Sequence, residues 1–284
     1  MGITYYEAKR LQEACLSGVS FQHLLSVGRL ALFLHPAELE SLRARNRSAL
    51  ANYQFGEYAD RFYRELLGSE TVTSIDYSDY EGATITHDMN QPVPDNLRGR
   101  FDVVIEGGSL EHIFNFPVAI TNLMQMTKVG GVVFMTTVAN NLCGHGFYQF
   151  SPELMYRVFS PENGFEATRV VFLEATFPGV ELTPIRSVYG VVDPATAGSR
   201  VGLRSTRPIM MVVESKKVAE KQPFTSVPLQ SDYVTAWNRG SDQEEGLLRR
   251  LFNKLPSSLK MRMTGYRQNR RFSLNNRRFY RKLP

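Results

Sequence analysis

Acidic residues follow two successive predicted strands. Asp76 ends the segment VTSID, and Asp88 follows GATITH. Parallel strands open their carboxyl ends at one edge of a sheet, and ligands bind there, so both residues are candidates for a binding site. A carboxylate at a strand tip can accept both hydrogen bonds of a ribose diol, while Asp88 and the following Met89 suit a purine amine and its ring face. Asp76 could equally cap a helix or turn, and Asp88 a loop.

Two histidines follow the next two predicted strands. His112 comes after the exit FDVVIEGGSLE, and His145 lies in NNLCGHGFYQFSPEL. An imidazole can accept a proton near neutral pH, so either histidine is a candidate general base. Polar and aromatic side chains crowd around His145, a mixture that suits a sugar, and the candidate substrate contacts are Asn140, Asn141, Tyr148 and Gln149. The alternative is a capped loop whose aromatic rings fill the core.

A metal site is a weaker possibility from the sequence. His87, Asp88 and His112 could hold an ion, but nothing in their spacing requires one, so no metal is predicted.

Apolar runs and helical periodicities alternate along the chain. Strands are predicted at 21–27, 71–76, 83–88, 101–106, 131–137, 170–173 and 209–214, and helices at 3–17, 36–45, 56–67, 115–127 and 151–159. Such alternation with short connections predicts an α/β fold with a doubly wound, mostly parallel seven-stranded sheet. The predicted domain covers 1–217 with its core at 21–215, followed by a linker at 218–246 and a basic amphipathic tail at 247–284.

The charge is distributed unevenly. The net charge is +5, but residues 249–284 hold 12 of the 33 Lys and Arg residues and no acid, which leaves the rest of the chain at −7. The two cysteines cannot form a disulfide framework, the first ten residues do not resemble a secretory signal, and no apolar run approaches about 18 residues. We therefore expect a cytoplasmic protein, at most peripheral to the inner face of a membrane.

Four segments together resemble a known family. VTSID, HDMNQPVP, FDVVIEGGSLEHI and LMQMTKVGGVVFMTT, in this order, are similar to successive motifs of the class I S-adenosylmethionine-dependent methyltransferases. The resemblance implies a Rossmann-like fold and S-adenosyl-L-methionine as cofactor. It also implies that Asp76 holds the ribose and that Asp88 and Met89 hold the adenine. The remaining residues that it implies for the cofactor site are Gly28, Gly56, Glu106 and Gly107.

The chain departs from this family after the first predicted strand. The family has a glycine-rich loop there, whereas HLLSVGRLALFLHPAEL contains Gly28 as its only glycine, followed by Arg29. The segment PAELESLRARNRSALANYQ then precedes FGEYADRFYRELL, which resembles the helix that normally follows the loop. Gly56 can replace a missing glycine, and Glu57 or Asp60 can meet the cofactor's ammonium. A domain that kept the fold and lost the cofactor is the alternative.

The predicted function is methyl transfer to a hydroxyl of a sugar or glycan, with His145 or His112 as the base. The chain also resembles a group of bacterial methyltransferase-like proteins with the strings FGEYAD, YEGA, LEH, NFP and GHGFYQFSPEL. A catalytically silent binding module and an RNA methyltransferase steered by the tail are the alternatives.

The basic tail has three candidate partners. It can fold back on the acidic body of its own chain or of a second copy in a homo-oligomer, or lie on an anionic membrane, or bind nucleic acid. Docking on an acidic body is favoured, and nucleic acid is the least favoured partner.

Overall fold

The computed structural model describes residues 2–175, 185, 187–239 and 252–283. Its strands are β1 (Gly2–Thr4), β2 (His23–Val27), β3 (Ala31–Phe33), β4 (Thr71–Asp76), β5 (Ile85–Thr86), β6 (Phe101–Gly107), β7 (Thr127–Asn140), β8 (Phe165–Glu174), β9 (Ser187–Val191), β10 (Ile209–Lys217) and β11 (Tyr280–Lys282). Its helices are α1 (Tyr5–Leu16), α2 (Pro36–Leu42), α3 (Asp60–Glu65), α4 (Phe116–Met126), α5 (Pro152–Val158), α6 (Pro194–Ala197), α7 (Ser231–Arg239) and α8 (Ser257–Arg271). Of the predicted linker and tail, residues 240–251 and 284 lie outside the described residues.

Within the described residues, nine strands form the main sheet, in the order β11-β9-β8-β10-β7-β6-β2-β4-β5. The five strands from β7 to β5 are parallel, whereas β10, β8, β9 and β11 pair antiparallel. The predicted α/β class and parallel core are confirmed. The predicted seven-stranded, mostly parallel sheet is corrected to a mixed sheet of nine strands, because β9 and β11 extend its antiparallel edge.

Helices cover both faces of the parallel core. On one face α1 and α3 pack against Leu24, Ile105 and Phe134. On the other face α4 and α5 pack against Leu25, Val104 and other side chains of the same strands. Because successive side chains of a strand point to opposite faces, strands covered on both sides are apolar throughout. That burial explains the continuous apolar runs in the sequence.

Strand β3, which follows β2 directly in the chain, belongs to a small second sheet. In it β3 pairs in parallel with β1. The segment before α3 bonds to β3 through Leu32 N–H to the Glu57 carbonyl (2.8 Å) and Gly56 N–H to the Leu32 carbonyl (2.9 Å). The segment that departs from the family's pattern is thus ordered by backbone pairing, at the carboxyl end of β2.

The end of the basic tail belongs to the main sheet. β11 pairs with β9, Phe279 and Tyr280 are buried, and the Tyr280 hydroxyl donates to the Gly202 carbonyl (2.8 Å). The preceding helix α8 has no buried residue. Among the described residues, none of the helices combines the length and apolar character that crossing a bilayer requires.

Candidate functional site

A cavity of about 430 Å³ opens at the carboxyl ends of β2 and β4. It brings together four of the predicted cofactor residues, and it also includes the predicted base His112 and the exposed Tyr77. Those four residues are Gly28, Asp76, Asp88 and Met89. The volume lies within the range of pockets that bind small organic molecules, about 300–1,000 Å³.

Hydrogen bonds from neighbouring loop residues orient the two aspartates of this cavity. Asp76 Oδ1 accepts the N–H of Tyr77 (2.6 Å). Asp88 Oδ1 accepts the backbone N–H of Asn90 (2.9 Å) and its side-chain amide (2.8 Å). These two hydrogen bonds lower the pKa of Asp88, so this carboxylate is ionised at neutral pH. The Asp88 carboxylate at the cavity wall therefore does not need a neighbouring cation to stay negatively charged.

The turn after β2 places Arg29 outside the cavity lining. Gly28 has a positive φ of 73°, which favours glycine, and its N–H donates to the Ile75 carbonyl (2.8 Å). The Arg29 guanidinium lies over the Tyr58 ring (4.1 Å to the centroid) and donates to Asp60 Oδ2 (3.3 Å). Asp60, a sequence candidate for the cofactor's ammonium, thus already has a cationic partner, and Glu57 likewise pairs with Arg61.

Three other predicted cofactor residues do not line the cavity. Gly107 lies against the Leu30 side chain, and Gly56 bonds to Leu32 beside Phe33.

Glu106 is buried, and its Oε1 accepts the backbone N–H groups of Gly108, Ser109 and Leu110 at the start of a single 3₁₀ turn. In the structure Gly107 allows close packing, Gly56 allows a turn with a positive φ of 85°, and Glu106 caps the turn.

Glu111, His112 and His145 form a cluster beside the cavity. Glu111 is fully buried, and its Oε2 accepts the Thr137 hydroxyl (2.9 Å). Its Oε1 lies 3.8 Å from His145 Nε2 and has no hydrogen-bond partner. The two imidazole rings, both exposed, have centroids 5.0 Å apart. Because His112 also lines the cavity, the cluster and the cavity are adjacent.

A glycine allows the loop that carries His145 to dock. Gly146 has a positive φ of 82°, and a Cβ there would lie 2.7 Å from the Glu111 carbonyl oxygen. The next residue, Phe147, donates its N–H to that same carbonyl (2.7 Å). The backbone of Glu111 is therefore the platform on which this loop rests.

Burial changes the pKa of both Glu106 and Glu111. Desolvation raises the pKa of both, and the charge of Glu111 raises that of Glu106 further. The backbone N–H groups bonded to Glu106 lower its pKa in part, and the backbone N–H of Glu111 itself, followed by Thr137 and the two imidazoles, does the same for Glu111. Glu111 had no predicted function from the sequence. Its one signal was an acidic residue between Leu110 and His112 at the exit of an apolar strand.

The predicted substrate contacts have partners within the protein. Asn141 donates to the carbonyls of Ser205 (2.7 Å) and Arg207 (2.8 Å). The Tyr148 hydroxyl donates to the Phe114 carbonyl (2.7 Å), and Gln149 accepts the N–H of Leu142 (3.1 Å). These three side chains hold the loop in place, while Asn140 is half-buried at the end of β7.

Two exposed aromatic rings lie next to the histidine cluster. Phe114 is 73% and Phe147 68% exposed, and they meet edge to face with centroids 6.0 Å apart. Each follows a cluster histidine by two residues. Solvent exposure of two neighbouring phenylalanines is unfavourable unless a ligand covers them, so this pair is a candidate acceptor surface.

Comparison with solved structures finds methyltransferases at low sequence identity. The N-methyltransferase NodS from Bradyrhizobium japonicum is 13% identical, with a TM-score of 0.38 over 75% of this chain and 96% of that one. TehB from Haemophilus influenzae is also 13% identical, with a TM-score of 0.38 over 74% and 62% of the two chains. The trans-methyltransferase CalH, solved with S-adenosylhomocysteine (SAH), is 10% identical, with a TM-score of 0.39 over 74% and 55%. No protein-family model matches the sequence, and neither does any curated protein.

Proposed function

We propose that the protein transfers a methyl group from S-adenosyl-L-methionine to a hydroxyl of a sugar or glycan. The observation that carries the proposal is that His112 belongs to both the aspartate-lined cavity and the cluster with Glu111 and His145. Donor and acceptor sites that share a residue satisfy the first requirement of group transfer, which is proximity.

The cavity supplies groups for the adenosine end of the cofactor. Asp76 would accept hydrogen bonds from the ribose, Asp88 would accept from the adenine amine, and Met89 would pack against the ring. Gly28 lines the cavity at the end of β2, where its missing side chain leaves room for the cofactor. Bound S-adenosylmethionine would supply an electrophilic methyl group on a positively charged sulfur.

The acceptor side needs a base and a surface. As the new O–C bond forms and the S–C bond breaks, the sulfur becomes a neutral thioether and the hydroxyl proton must leave. His145 or His112 would take that proton at an imidazole nitrogen. Phe114 and Phe147 would hold the C–H face of a sugar ring beside them. The fully buried Glu111 would orient His145 through its Oε1.

Calorimetry on the full-length chain tests the donor site. We expect S-adenosylmethionine (SAM) and its product SAH to bind with dissociation constants in the micromolar range. Methyl transfer to a panel of sugar and glycan acceptors would then identify the acceptor, and replacement of His145 by Gln should lower kcat more than it changes the affinity for SAH.

A second candidate, a catalytically silent module, rests on a different observation. Leu30 fills the space over Gly107, near where the resemblance places the methionine end of the cofactor. If folded protein gives no heat with millimolar SAM and SAH, the silent module replaces the enzyme as the proposed function.

A further inference from the structure

We propose that Glu111, His112 and His145 bind a divalent transition-metal ion. One ligand atom from each lies within 4.8 Å of the other two. A carboxylate and two imidazoles are the donors that zinc uses in many catalytic sites, and imidazole nitrogen favours zinc, cobalt or nickel over magnesium. No other group of three potential ligands at such distances occurs among residues 2–175, 185, 187–239 and 252–283.

The buried carboxylate is the independent observation. Glu111 has no exposed surface, yet Oε1 has no hydrogen-bond partner and faces His145 Nε2 at 3.8 Å. A buried polar atom without a partner is costly, and a coordinated cation would satisfy it. The other oxygen, Oε2, is fixed by the Thr137 hydroxyl (2.9 Å), as outer hydrogen bonds fix the ligands in metal sites.

The three ligand atoms, which lie within 4.8 Å of one another, would have to close toward the ion. Ligands at about 2.0–2.2 Å from a tetrahedral ion lie about 3.4 Å apart, close to the 3.8 Å between Glu111 and His145. Both imidazoles are exposed, so they can rotate toward an ion and solvent can deliver it. Three protein ligands leave a coordination position open, which is typical of catalytic sites.

An open position beside the cavity suggests a use for the ion. An acceptor hydroxyl bound there would lose its proton more readily, because a coordinated cation stabilises the alkoxide. With both imidazoles bound to the ion, the released proton would pass to bulk water, to which the exposed histidines are open, instead of to His145 or His112. This use rests on the proposed function, whereas metal binding itself does not.

Titration of the EDTA-treated full-length chain with Co²⁺ tests the site, followed by displacement with Zn²⁺. We expect one Co²⁺ per chain with visible ligand-field absorption. His145→Gln and Glu111→Gln should weaken binding at least about tenfold. His145 is exposed, and the Gln at 111 keeps the size of the side chain, so both variants should fold. The matched control is His23→Gln, which removes an imidazole that bonds to Thr71 at the amino ends of β2 and β4, opposite the strand ends at which the cavity opens.

The outcomes separate this proposal from the methyltransferase. No Co²⁺ binding, equal binding by the wild type and His145→Gln, or an equal loss in His23→Gln would overturn the metal site. SAH calorimetry on the same samples is a separate readout. Metal binding without SAH binding would keep this site and remove the proposed enzyme, and the reverse result would do the opposite.

Discussion

The Leu30 side chain lies so close to the Gly107 backbone that a Cβ on Gly107 would come within 2.8 Å of Leu30 Cδ2. Leu30 is 1% exposed, so its side chain is packed inside the core. This contact joins the turn after β2 to the end of β6. It also accounts for the glycine at 107 without a ligand.

Gly107→Ala should therefore destabilise the fold by about 1–3 kcal/mol through overpacking. Leu30→Ala should cost about 2–5 kcal/mol through the cavity that it leaves. The double variant should lose less than the sum of the two, because the smaller Leu30 replacement makes room for the new methyl group. Urea unfolding of the four proteins measures the coupling. Strict additivity would mean that the two residues do not share this contact.

Asp76→Asn should weaken SAH binding by about 10–100-fold, since hydrogen bonds to a charged group contribute about 1.5–3 kcal/mol. The matched control is Asp79→Asn, which changes an exposed aspartate three residues along the same loop and outside the cavity lining. Calorimetry should show near wild-type affinity for the control. Equal affinities in both variants would place the nucleoside elsewhere.

The parallel core could be predicted because its strands are recognisable from short stretches of sequence. β4 runs over the predicted residues 71–76, and β2 and β6 differ from prediction by at most two residues, since strands buried on both faces are apolar at every position. β3 and β9 were not predicted. β3 has three residues, and β9 includes Gly190 in a segment interpreted as a long connection. β3 pairs with β1, which lies before α1 and β2 in the chain, and β9 pairs with β11 beyond α8 as well as with the preceding β8, so local sequence alone does not predict either strand.

The site was predictable at the strand tips and less so in the loops. The ends of parallel strands converge by topology, which brought Gly28, Asp76 and Asp88 into one cavity. The partners of Asn141 and Gln149 depend on where a loop folds back, which spacing alone does not specify. Glu111 was overlooked for a related reason, because its burial depends on the loop that docks on its carbonyl.

Gly146→Ala should move His145 away from Glu111. The alanine would need a positive φ, which costs about 1–2 kcal/mol, and its Cβ would clash with the Glu111 carbonyl oxygen. We expect lower thermal stability and at least tenfold weaker Co²⁺ binding. Gly144→Ala is the matched control in the same loop, because a Cβ there meets no atom within 4 Å. If both variants bind Co²⁺ like the wild type, the loop's docking does not position His145.

Helix α8 should bind anionic lipid surfaces. Its exposed residues Leu259, Met263 and Tyr266 recur at helical spacing, and Arg262 and Arg267 flank them. Residues 252–283 contain no acid. An apolar stripe beside cations matches the interface of an anionic bilayer, where each base contributes about 1 kcal/mol. Vesicles with a quarter phosphatidylglycerol should sediment the protein at low salt, and neutral phosphatidylcholine vesicles should not.

The test of α8 uses charge reversal rather than truncation, since removing the tail would also remove β11 and the buried Tyr280. Arg262→Glu with Arg267→Glu should abolish vesicle binding. Arg45→Glu with Arg47→Glu makes the same change in net charge at exposed positions away from α8 and should bind like the wild type. An equal loss of vesicle binding in the two variants would show that the net charge alone drives adsorption. If the α8 variant instead changes the molecular mass in light scattering and the wild type ignores vesicles, a second copy of the chain covers this helix.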